Sequence, residues 1–414
     1  MRFHFSRAQG LEEAKAFLSQ ALSSGKFPHA LLVHGPEGVG QNPLLLDLID
    51  ILLCEADDLR PCGACAGCLG RKRNNLDSLI FLMPIEKKDK GAEKSAGGSG
   101  GDSGMEDAQV DELTERAKEF HADPYAFART DKANLNVGQI RSLQARLSFA
   151  EASRRPRIVV ILWAETMAAP AANTLLKTLE EPPPNTYFLL SSDDRSALLP
   201  TILSRCTQLP LFPLAPEALR AMLARQGKAW DIAVPPERLL PFAEGSPGVL
   251  LSLHRNGGDT LLEESGRFLA AALPKSLGKD WLAFSDYLEE SDAFGDLTSA
   301  SRLLHFLLRV TRMFHRLEAL EGDIVAGDGF AWTRAALASQ DLPPALADII
   351  GPLERAPGLS AFAAWLEETL SAVQAYAKPK VVALGLYLEY AAKAAAIGAA
   401  IQAVESARKE TAAC

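Results

Sequence analysis

The chain has 414 residues, and 48% of them are hydrophobic, so it is long enough for two or three domains with substantial cores. Its formal net charge of −9 argues against a free-standing DNA-binding protein, because such proteins bind by neutralising phosphates. The first ten residues lack the apolar core of a signal peptide, and the alanine-rich stretch 381–401 is interrupted by Glu389 and Lys393. We therefore expect a packed helix in that stretch and a cytoplasmic protein without a membrane anchor.

The first half of the chain alternates apolar runs of helical and of strand character. Hydrophobic periodicity predicts, in order, a helix over 11–23, a strand over 29–34, a helix over 43–53, a strand over 79–82, helices over 111–120 and 137–149, a strand over 157–163, a helix over 171–180 and a strand over 187–191. This alternation predicts an α/β domain built on a doubly wound parallel sheet. After about Pro213 only helical patterns remain.

A glycine-rich loop, HGPEGVGQNP, joins the first predicted strand to the next helix. Gly35 and Gly40 have the spacing of a phosphate-binding P-loop, which reads G-x-x-x-x-G-K-[ST]. Gln41 and Asn42 stand where that loop has its Lys and its hydroxyl residue. Gln41 brings no positive charge to a phosphate, and Asn42 is a poor substitute for the hydroxyl that holds Mg²⁺. The loop alone is consistent with a chance glycine pair, a divergent ATP site or an ATPase scaffold that has lost its chemistry.

Four of the six cysteines follow this loop closely, at Cys54, Cys62, Cys65 and Cys68. The spacing C-x7-C-x2-C-x2-C is typical of a zinc site, because Zn²⁺ takes four ligands in a tetrahedron and C-x2-C turns bring thiolates together. Four cysteines leave no open coordination position, so we expect a structural Zn²⁺ ion. The alternative is a group of unligated thiols.

A low-complexity segment interrupts the α/β pattern. Between residues 85 and 115 the composition is dominated by Lys, Glu, Gly and Ser, as in KKDKGAEKSAGGSGGDSG. Such a composition favours a solvated linker or insertion, and the sequence gives it no role.

The stretch AANTLLKTLEEPPPNTYFLLSSDDRSALLPTILSRCTQL, over 171–209, resembles the bacterial replicative clamp loaders. These are AAA+ proteins of the DNA polymerase III holoenzyme, and the family includes the gamma/tau ATPase and delta-prime. The resemblance covers residues 1 to about 255. It implies an AAA+ α/β domain over 1–212 with a zinc module inserted at about 54–68, a helical lid domain over 213–258, and an all-α collar domain over 259–414.

Two further parts of the family's ATP chemistry are missing. Hydrolysing members end a strand in Asp-Glu about ten residues before the Asn of NTLLKTLEEPP, and this chain has Leu162 and Trp163 there. Glu165, two residues later, is not taken for the catalytic base. The ATPases also carry G-S-x-R where this chain reads GSPG, with Gly248 in place of the Arg. The resemblance therefore favours the non-catalytic delta-prime branch, in which this chain would not hydrolyse ATP.

One functional motif of the family is kept, Ser204-Arg205-Cys206. The resemblance implies that Arg205 is an arginine finger that reaches the ATP site of a neighbouring subunit. It also implies partners: the gamma/tau and delta subunits, and through their assembly the sliding clamp (beta) and primer–template DNA. The alternative for Arg205 is a helix cap or an ordinary surface ion pair.

Two rival functions remain open at this point. A divergent gamma/tau-type ATPase would use Gln41 in place of the Lys, and nucleotide affinity would reveal it. A stand-alone zinc DNA-binding module is opposed by the acidic charge, and a salt-dependent DNA titration would decide it.

Overall fold

The chain forms two compact units in the computed structural model, one made of residues 1–235 and 245–252 and one of residues 236–244 and 253–414. The structure describes residues 1–72, 78–85, 107–125, 127, 129, 133–149, 155–227, 230, 232, 239–272, 281–319, 359–375, 378–380, 382–383, 386–387 and 390. Most of the predicted insertion and most of the predicted helix over 381–401 therefore lie outside the described residues.

A five-stranded parallel sheet forms the centre of the first unit, in the order β4-β5-β6-β2-β7. Its strands are β2 (Ala30–His34), β4 (Leu79–Leu82), β5 (Arg157–Ile161), β6 (Thr186–Ser192) and β7 (Thr207–Pro210). The predicted parallel α/β architecture is confirmed. Consecutive side chains such as Leu31 and Leu32, or Val159 and Val160, are all fully buried. Both faces of the sheet are therefore covered, which explains why these strands are continuous apolar runs.

Eight α-helices are described in this unit: α1 (Glu12–Ser23), α2 (Gln41–Leu53), α3 (Ala66–Lys72), α4 (Asp107–Ala122), α5 (Val137–Phe149), α6 (Ala169–Glu180), α7 (Pro200–Leu203) and α8 (Pro216–Gln226). A ninth helix, α9 (Pro247–Arg255), has its residues 247–252 in this unit. Several predicted boundaries were wrong, the largest shift being that α4 begins at Asp107 and not at residue 111. Two of the shifts have a local cause. Helix α2 begins at Gln41, two residues before the predicted start, because Gly40 (φ 130°) makes the turn into it. Strand β5 ends at Ile161, because Trp163 takes the left-handed conformation (φ 52°).

Three strands were not predicted from the sequence. Strand β7 carries the polar sequence TQLP and forms the edge of the sheet, where it pairs with β2. A separate two-stranded parallel sheet joins β1 (Arg2–Phe3) to β3 (Leu59–Arg60). All three strands are too short for a periodic pattern, and their pairing depends on residues far away in the sequence.

The second unit is helical in its described part, with α10 (Gly258–Ala272), α11 (Trp281–Glu290), α12 (Leu297–Ala319) and α13 (Leu359–Ala375). Its core is aromatic: the ring of Phe268 lies 5.5 Å from Phe284 and 5.8 Å from Trp365. No helix among the described residues is long and apolar enough to cross a membrane. Residues 213–227 and 245–252 fall in the first unit, and the division into lid and collar domains stays a prediction.

Candidate functional site

The glycine loop lies between the carboxyl end of β2 and the start of α2, as in a phosphate-binding protein, but its own Gln41 fills it. The Gln41 Nε2 atom donates to the carbonyl oxygens of Gly35 (2.7 Å) and Pro36 (2.8 Å). Its Oε1 atom accepts from the N–H of Gly40 (3.2 Å), and the residue is 3% exposed. A P-loop binds phosphate through its backbone N–H groups. Here the Gly40 N–H already has an internal partner.

The segment GSPG at the start of α9 closes over the same loop. Ser246 Oγ donates to the carbonyl of Glu37 (2.7 Å), and the N–H of Gly248 donates to the carbonyl of Gly38 (2.9 Å). A Cβ atom added to Gly38, whose φ is 70°, would lie 2.8 Å from Ser246 Oγ. ATPases of the family have an Arg in this segment. Here the segment stabilises the loop through the Ser246 side chain and the Gly248 backbone.

Trp163 occupies the end of β5, where the sequence predicted the loss of Asp-Glu. Its indole Nε1 donates to Asp193 Oδ2 (3.0 Å), and its backbone N–H donates to Ser191 Oγ (3.1 Å). Its ring lies 5.3 Å from that of Phe127, and the residue is 4% exposed. Leu162 beside it is fully buried. Leu162 and Trp163 therefore place buried apolar and aromatic side chains where hydrolysing members of the family have the carboxylates that support Mg²⁺ and activate water.

Asp193 is a residue of this site that the sequence analysis missed. It follows β6, the neighbour of β2 in the sheet, and its Oδ1 atom accepts from Gln41 Nε2 (3.3 Å). Burial and the charges of Glu165 and Glu37 raise the pKa of Asp193 to about 7. Burial also raises the pKa of Glu165, whose Oε1 atom lies 3.7 Å from Arg129 Nη1. A buried acidic group so close to the loop opposes the binding of a phosphate.

The signal for Asp193 was present in the sequence. The carboxyl ends of parallel strands meet at one edge of a sheet, and ligand sites form there. The acidic pair Asp193-Asp194 directly follows the strand YFLLSS. Only the strand order, which places β6 beside β2, shows that Asp193 faces the glycine loop.

The four predicted cysteines come together as expected. The Sγ atoms of Cys54, Cys62, Cys65 and Cys68 all lie within 4.8 Å of one another, and those of Cys54 and Cys65 are 3.9 Å apart. Zn–S bonds of about 2.3 Å in a tetrahedron place the sulfur atoms about 3.8 Å apart. The residues present therefore fit a four-thiolate Zn²⁺ site.

Backbone N–H groups point at the sulfur atoms of this cluster. Those of Glu55 and Cys68 each lie 3.4 Å from Cys65 Sγ, and that of Cys62 lies 3.3 Å from Cys54 Sγ. The N–H groups of Ala64 and Cys65 lower the pKa of the Cys62 thiol to about 6. Burial raises the pKa of Cys54 and, to about 12, that of Cys68. The turns thus offer donors to thiolates in the way that metal-bound cysteines require.

The cluster is attached to α2 by a close backbone contact. A Cβ atom added to Gly67 would lie 2.0 Å from the carbonyl oxygen of Leu53, so only glycine allows α3 to approach the end of α2. Arg71, at the end of α3, forms an ion pair with Asp50 of α2 (Nε to Oδ1, 3.3 Å). The cysteine module and the glycine loop therefore sit at opposite ends of the same helix.

Arg205 lies between α7 and the edge strand β7. Its Nη1 atom donates to the carbonyl of Thr201 (2.9 Å) and lies 3.3 Å from Ser204 Oγ. Its Nη2 atom forms an ion pair with Glu180 at the end of α6. Cys206 is 7% exposed, and burial raises the pKa of its thiol to about 12, so it packs as a small buried side chain.

The chain is similar in sequence to subunits of DNA polymerase III. Residues 10–215 match a family described as "DNA polymerase III, delta subunit". The chain is 29% identical over 189 residues to DNA polymerase III subunit delta' of Haemophilus influenzae, covering 46% of this chain and 44% of that protein. It is 28% identical over 254 residues to the gamma/tau subunit of Mycobacterium tuberculosis, covering 60% of this chain and 36% of that protein. The matches thus span less than half the length of these two relatives.

A longer match is to DNA polymerase III subunit delta' of Escherichia coli, 27% identical over 280 residues, which covers 67% of this chain and 68% of that protein. Among solved structures, a DNA polymerase III gamma subunit-related protein from Thermotoga maritima aligns with 93% of this chain and 99% of its own, at 13% identity and a TM-score of 0.39. Relatives of both the delta' and the gamma/tau type are therefore found.

Proposed function

Because residues 10–215 belong to the clamp-loader family of AAA+ proteins from DNA polymerase III, we propose that this chain is a non-catalytic subunit of the delta-prime type. In this role it does not hydrolyse ATP. It assembles with gamma/tau-type and delta-type subunits and helps the assembly to load a sliding clamp onto primed DNA.

The observation that carries the proposal is the position of the Gln41 side chain. It bonds to Gly35, Pro36 and Gly40 from inside the loop, so the loop is complete without a phosphate. Trp163 and Asp193 fill the adjoining space with an indole ring and a carboxyl group. A nucleotide would have to displace Gln41 and face acidic groups without a Lys to neutralise its charge.

Arg205 carries the second part of the proposal, as a trans-acting arginine finger. It precedes β7, the edge strand of the sheet, and in this proposal a neighbouring subunit lies beside that edge. A guanidinium placed against a transferring phosphoryl group accelerates hydrolysis by about 10³–10⁵ in well-studied cases. In this chain the finger would act on the ATP of a neighbour.

The cysteine module has a structural role in this proposal. Cys54, Cys62, Cys65 and Cys68 would hold one Zn²⁺ ion, which would keep the four sulfur atoms as thiolates and fix the loop between α2 and α3. A closed set of four protein ligands leaves no position for substrate, so the ion would have no part in catalysis.

A divergent gamma/tau-type ATPase is the second candidate, and the 254-residue similarity to a gamma/tau subunit favours it. In that role Gln41 would have to reach a phosphate, whereas it is turned into the loop and 3% exposed. Nucleotide turnover by the isolated chain separates the two candidates.

The decisive experiment combines the isolated chain and the reconstituted assembly. We expect no Mg²⁺-dependent phosphate release from the isolated chain. The Asn42→Ala variant should give the same result. Co-purification with gamma/tau-type and delta-type subunits should give an assembly whose DNA- and clamp-stimulated ATPase falls in the Arg205→Ala variant. The fall should be partial, since other interfaces keep their own arginines, and Arg205→Lys should restore little because an ammonium lacks the planar fork.

Arg195→Ala is the matched control for that experiment. Arg195 is also a surface arginine near β7, and it bonds to Gln208 (2.6 Å) instead of standing in the SRC motif. Its variant should keep the full ATPase rate of the assembly. Robust turnover by the isolated chain, abolished by Asn42→Ala, would instead establish the ATPase candidate.

A further inference from the structure

The guanidinium of Arg205 is bound within its own chain. Nη2 is paired with the Glu180 carboxylate, and Nη1 donates to the carbonyl of Thr201 and lies near Ser204 Oγ. The side chains of Arg205 and Glu180 are 31% and 47% exposed, so the pair lies open to solvent and to a neighbouring molecule. A finger that acts in a neighbour's ATP site must first leave these contacts.

The ends of two helices explain why this pair forms. Glu180 is the last residue of α6, where the helix dipole is negative and an isolated carboxylate is unfavourable. Glu181 follows it directly, which adds a second negative charge. Arg205 comes just after α7, and its guanidinium is the cation that compensates Glu180.

Carboxylate and phosphate oxygens present the same kind of acceptor to a guanidinium fork. A γ-phosphate in a neighbouring subunit and the Glu180 carboxylate therefore compete for the same N–H groups of Arg205. We propose that Glu180 is an internal competitor that parks the arginine finger until a neighbour's nucleotide draws it away. This inference rests on the proposed function of Arg205 as a trans-acting finger.

The exposure of the pair fixes the size of the effect. An exposed ion pair shifts the balance between the paired and the free arginine by a factor of about 1.4 to 5. The fraction of free Arg205 is then about one half to one sixth, and an apparent affinity scales with the competent fraction. Removing the Glu180 charge should thus raise kcat/KM for ATP in the assembly by at most about two- to six-fold. A pair this weak lowers the fraction of free Arg205 but does not prevent Arg205 from binding a phosphate.

The test compares four variants of the full chain in the assembly with gamma/tau-type and delta-type subunits. Glu180→Gln keeps the size of the side chain and removes its charge. We expect kcat/KM of the assembly to rise by less than the upper limit above, because the other interfaces keep their own arginines. Glu181→Gln is the matched control, because Glu181 is the adjacent exposed carboxylate outside the pair, and it should leave kcat/KM unchanged. Arg205→Ala should lower it, and the double variant Glu180→Gln/Arg205→Ala should match Arg205→Ala alone.

Salt gives a readout that a purely structural role would not move. Salt screens an exposed ion pair and weakens it. The kcat/KM of the Glu180→Gln assembly divided by that of the wild-type assembly should therefore fall towards one as the ionic strength rises from about 0.05 M to about 0.5 M. If Arg205→Ala lowers kcat/KM but Glu180→Gln leaves it unchanged, or lowers it too, the parking role of Glu180 is refuted while the finger stands. If Arg205→Ala has no effect on an intact assembly, the finger itself is refuted, and the parking role with it.

Discussion

The glycine loop and the cysteine module lie at the two ends of α2. The loop has the backbone of a binding site without its ligand-binding side chains, whereas the module has the side chains that bind a metal. The loop keeps the backbone path of a phosphate site, but the Gln41 side chain bonds to its backbone groups and also donates to Asp193. The module keeps its ligands, since four sulfur atoms lie within 4.8 Å with N–H groups directed at them. A backbone frame can therefore persist without its ligand when side chains bond to its polar groups from within.

The largest expected effect lies in the module. Cys68→Ser removes one of the four ligands, and a buried one. Structural zinc in small sites is bound with about 10–16 kcal/mol when all four ligands are present. We expect the zinc content to fall from about one per chain to near zero when one ligand is lost. The loop between α2 and α3 should become sensitive to protease, whereas the sheet should keep its circular dichroism. Metal analysis of the purified proteins measures the loss.

Cys206→Ser provides the control, since Cys206 is buried at β7 and outside the cluster. It should keep the full zinc content. Metal-free wild-type protein in which four thiols titrate freely would contradict the zinc site.

Gly67→Ala should have the next largest effect on the same module. The added Cβ would lie 2.0 Å from the Leu53 carbonyl oxygen, and overpacking of this kind costs about 3 kcal/mol. Zinc should bind more weakly, which a competition titration with a chelator measures. In the matched change Gly63→Ala, the new Cβ would meet only Lys72 Nζ at 3.9 Å, and its cost of about 1 kcal/mol comes from the positive φ of 74°. Equal losses in the two variants would disprove the close contact.

Gln41→Ala tests whether the glycine loop is stabilised from within. The change leaves the Gly35 carbonyl and the Gly40 N–H without their present partner, which costs about 2 kcal/mol of unfolding free energy. Urea unfolding measures it. The neighbouring change Asn42→Ala removes only one bond of 3.4 Å, to the Phe127 carbonyl, and should cost much less. A Gln41→Ala protein as stable as wild type would mean that the loop does not depend on this side chain.

Asp193→Asn should have the smallest effect at pH 4, where the folded wild-type carboxyl group is also neutral, and one that grows as the pH rises. The folded pKa of about 7 lies above the unfolded value of 3.8, so ionisation of Asp193 destabilises the fold as pH rises through that window. Wild type loses this contribution between about pH 4 and pH 7, and Asn does not ionise. The stability of the variant relative to wild type should therefore improve by up to about 4 kcal/mol from pH 4 to pH 8.

Urea unfolding at the two pH values measures that difference. Asp194→Asn is the control, because its carboxylate is exposed and hydrogen bonds from Ser196 lower its pKa. Its relative stability should change in the opposite direction, if at all. A pH-independent difference between Asp193→Asn and wild type would show that Asp193 titrates normally.

Most of the sheet could be predicted from the sequence, and the exceptions share a cause. Strands such as ALLVH and RIVVI are apolar throughout because both faces are buried, so composition alone marks them. Strand β7 carries TQLP and exists only through its pairing with β2. Its residues have no local strand signal, because the hydrogen bonds that define it come from a segment more than a hundred residues away.

The chemical groups of the site can be read from the sequence alone: four cysteines at zinc spacing, an SRC arginine, and a glycine loop without its Lys. The contacts of these groups depend on the tertiary structure. Strand order put Asp193 beside Gln41, 152 residues away in the chain, and helix packing put Glu180 on Arg205, 25 residues away. Local sequence sets propensity and spacing, whereas such pairs form only when the sheet and helices have fixed the positions of distant segments.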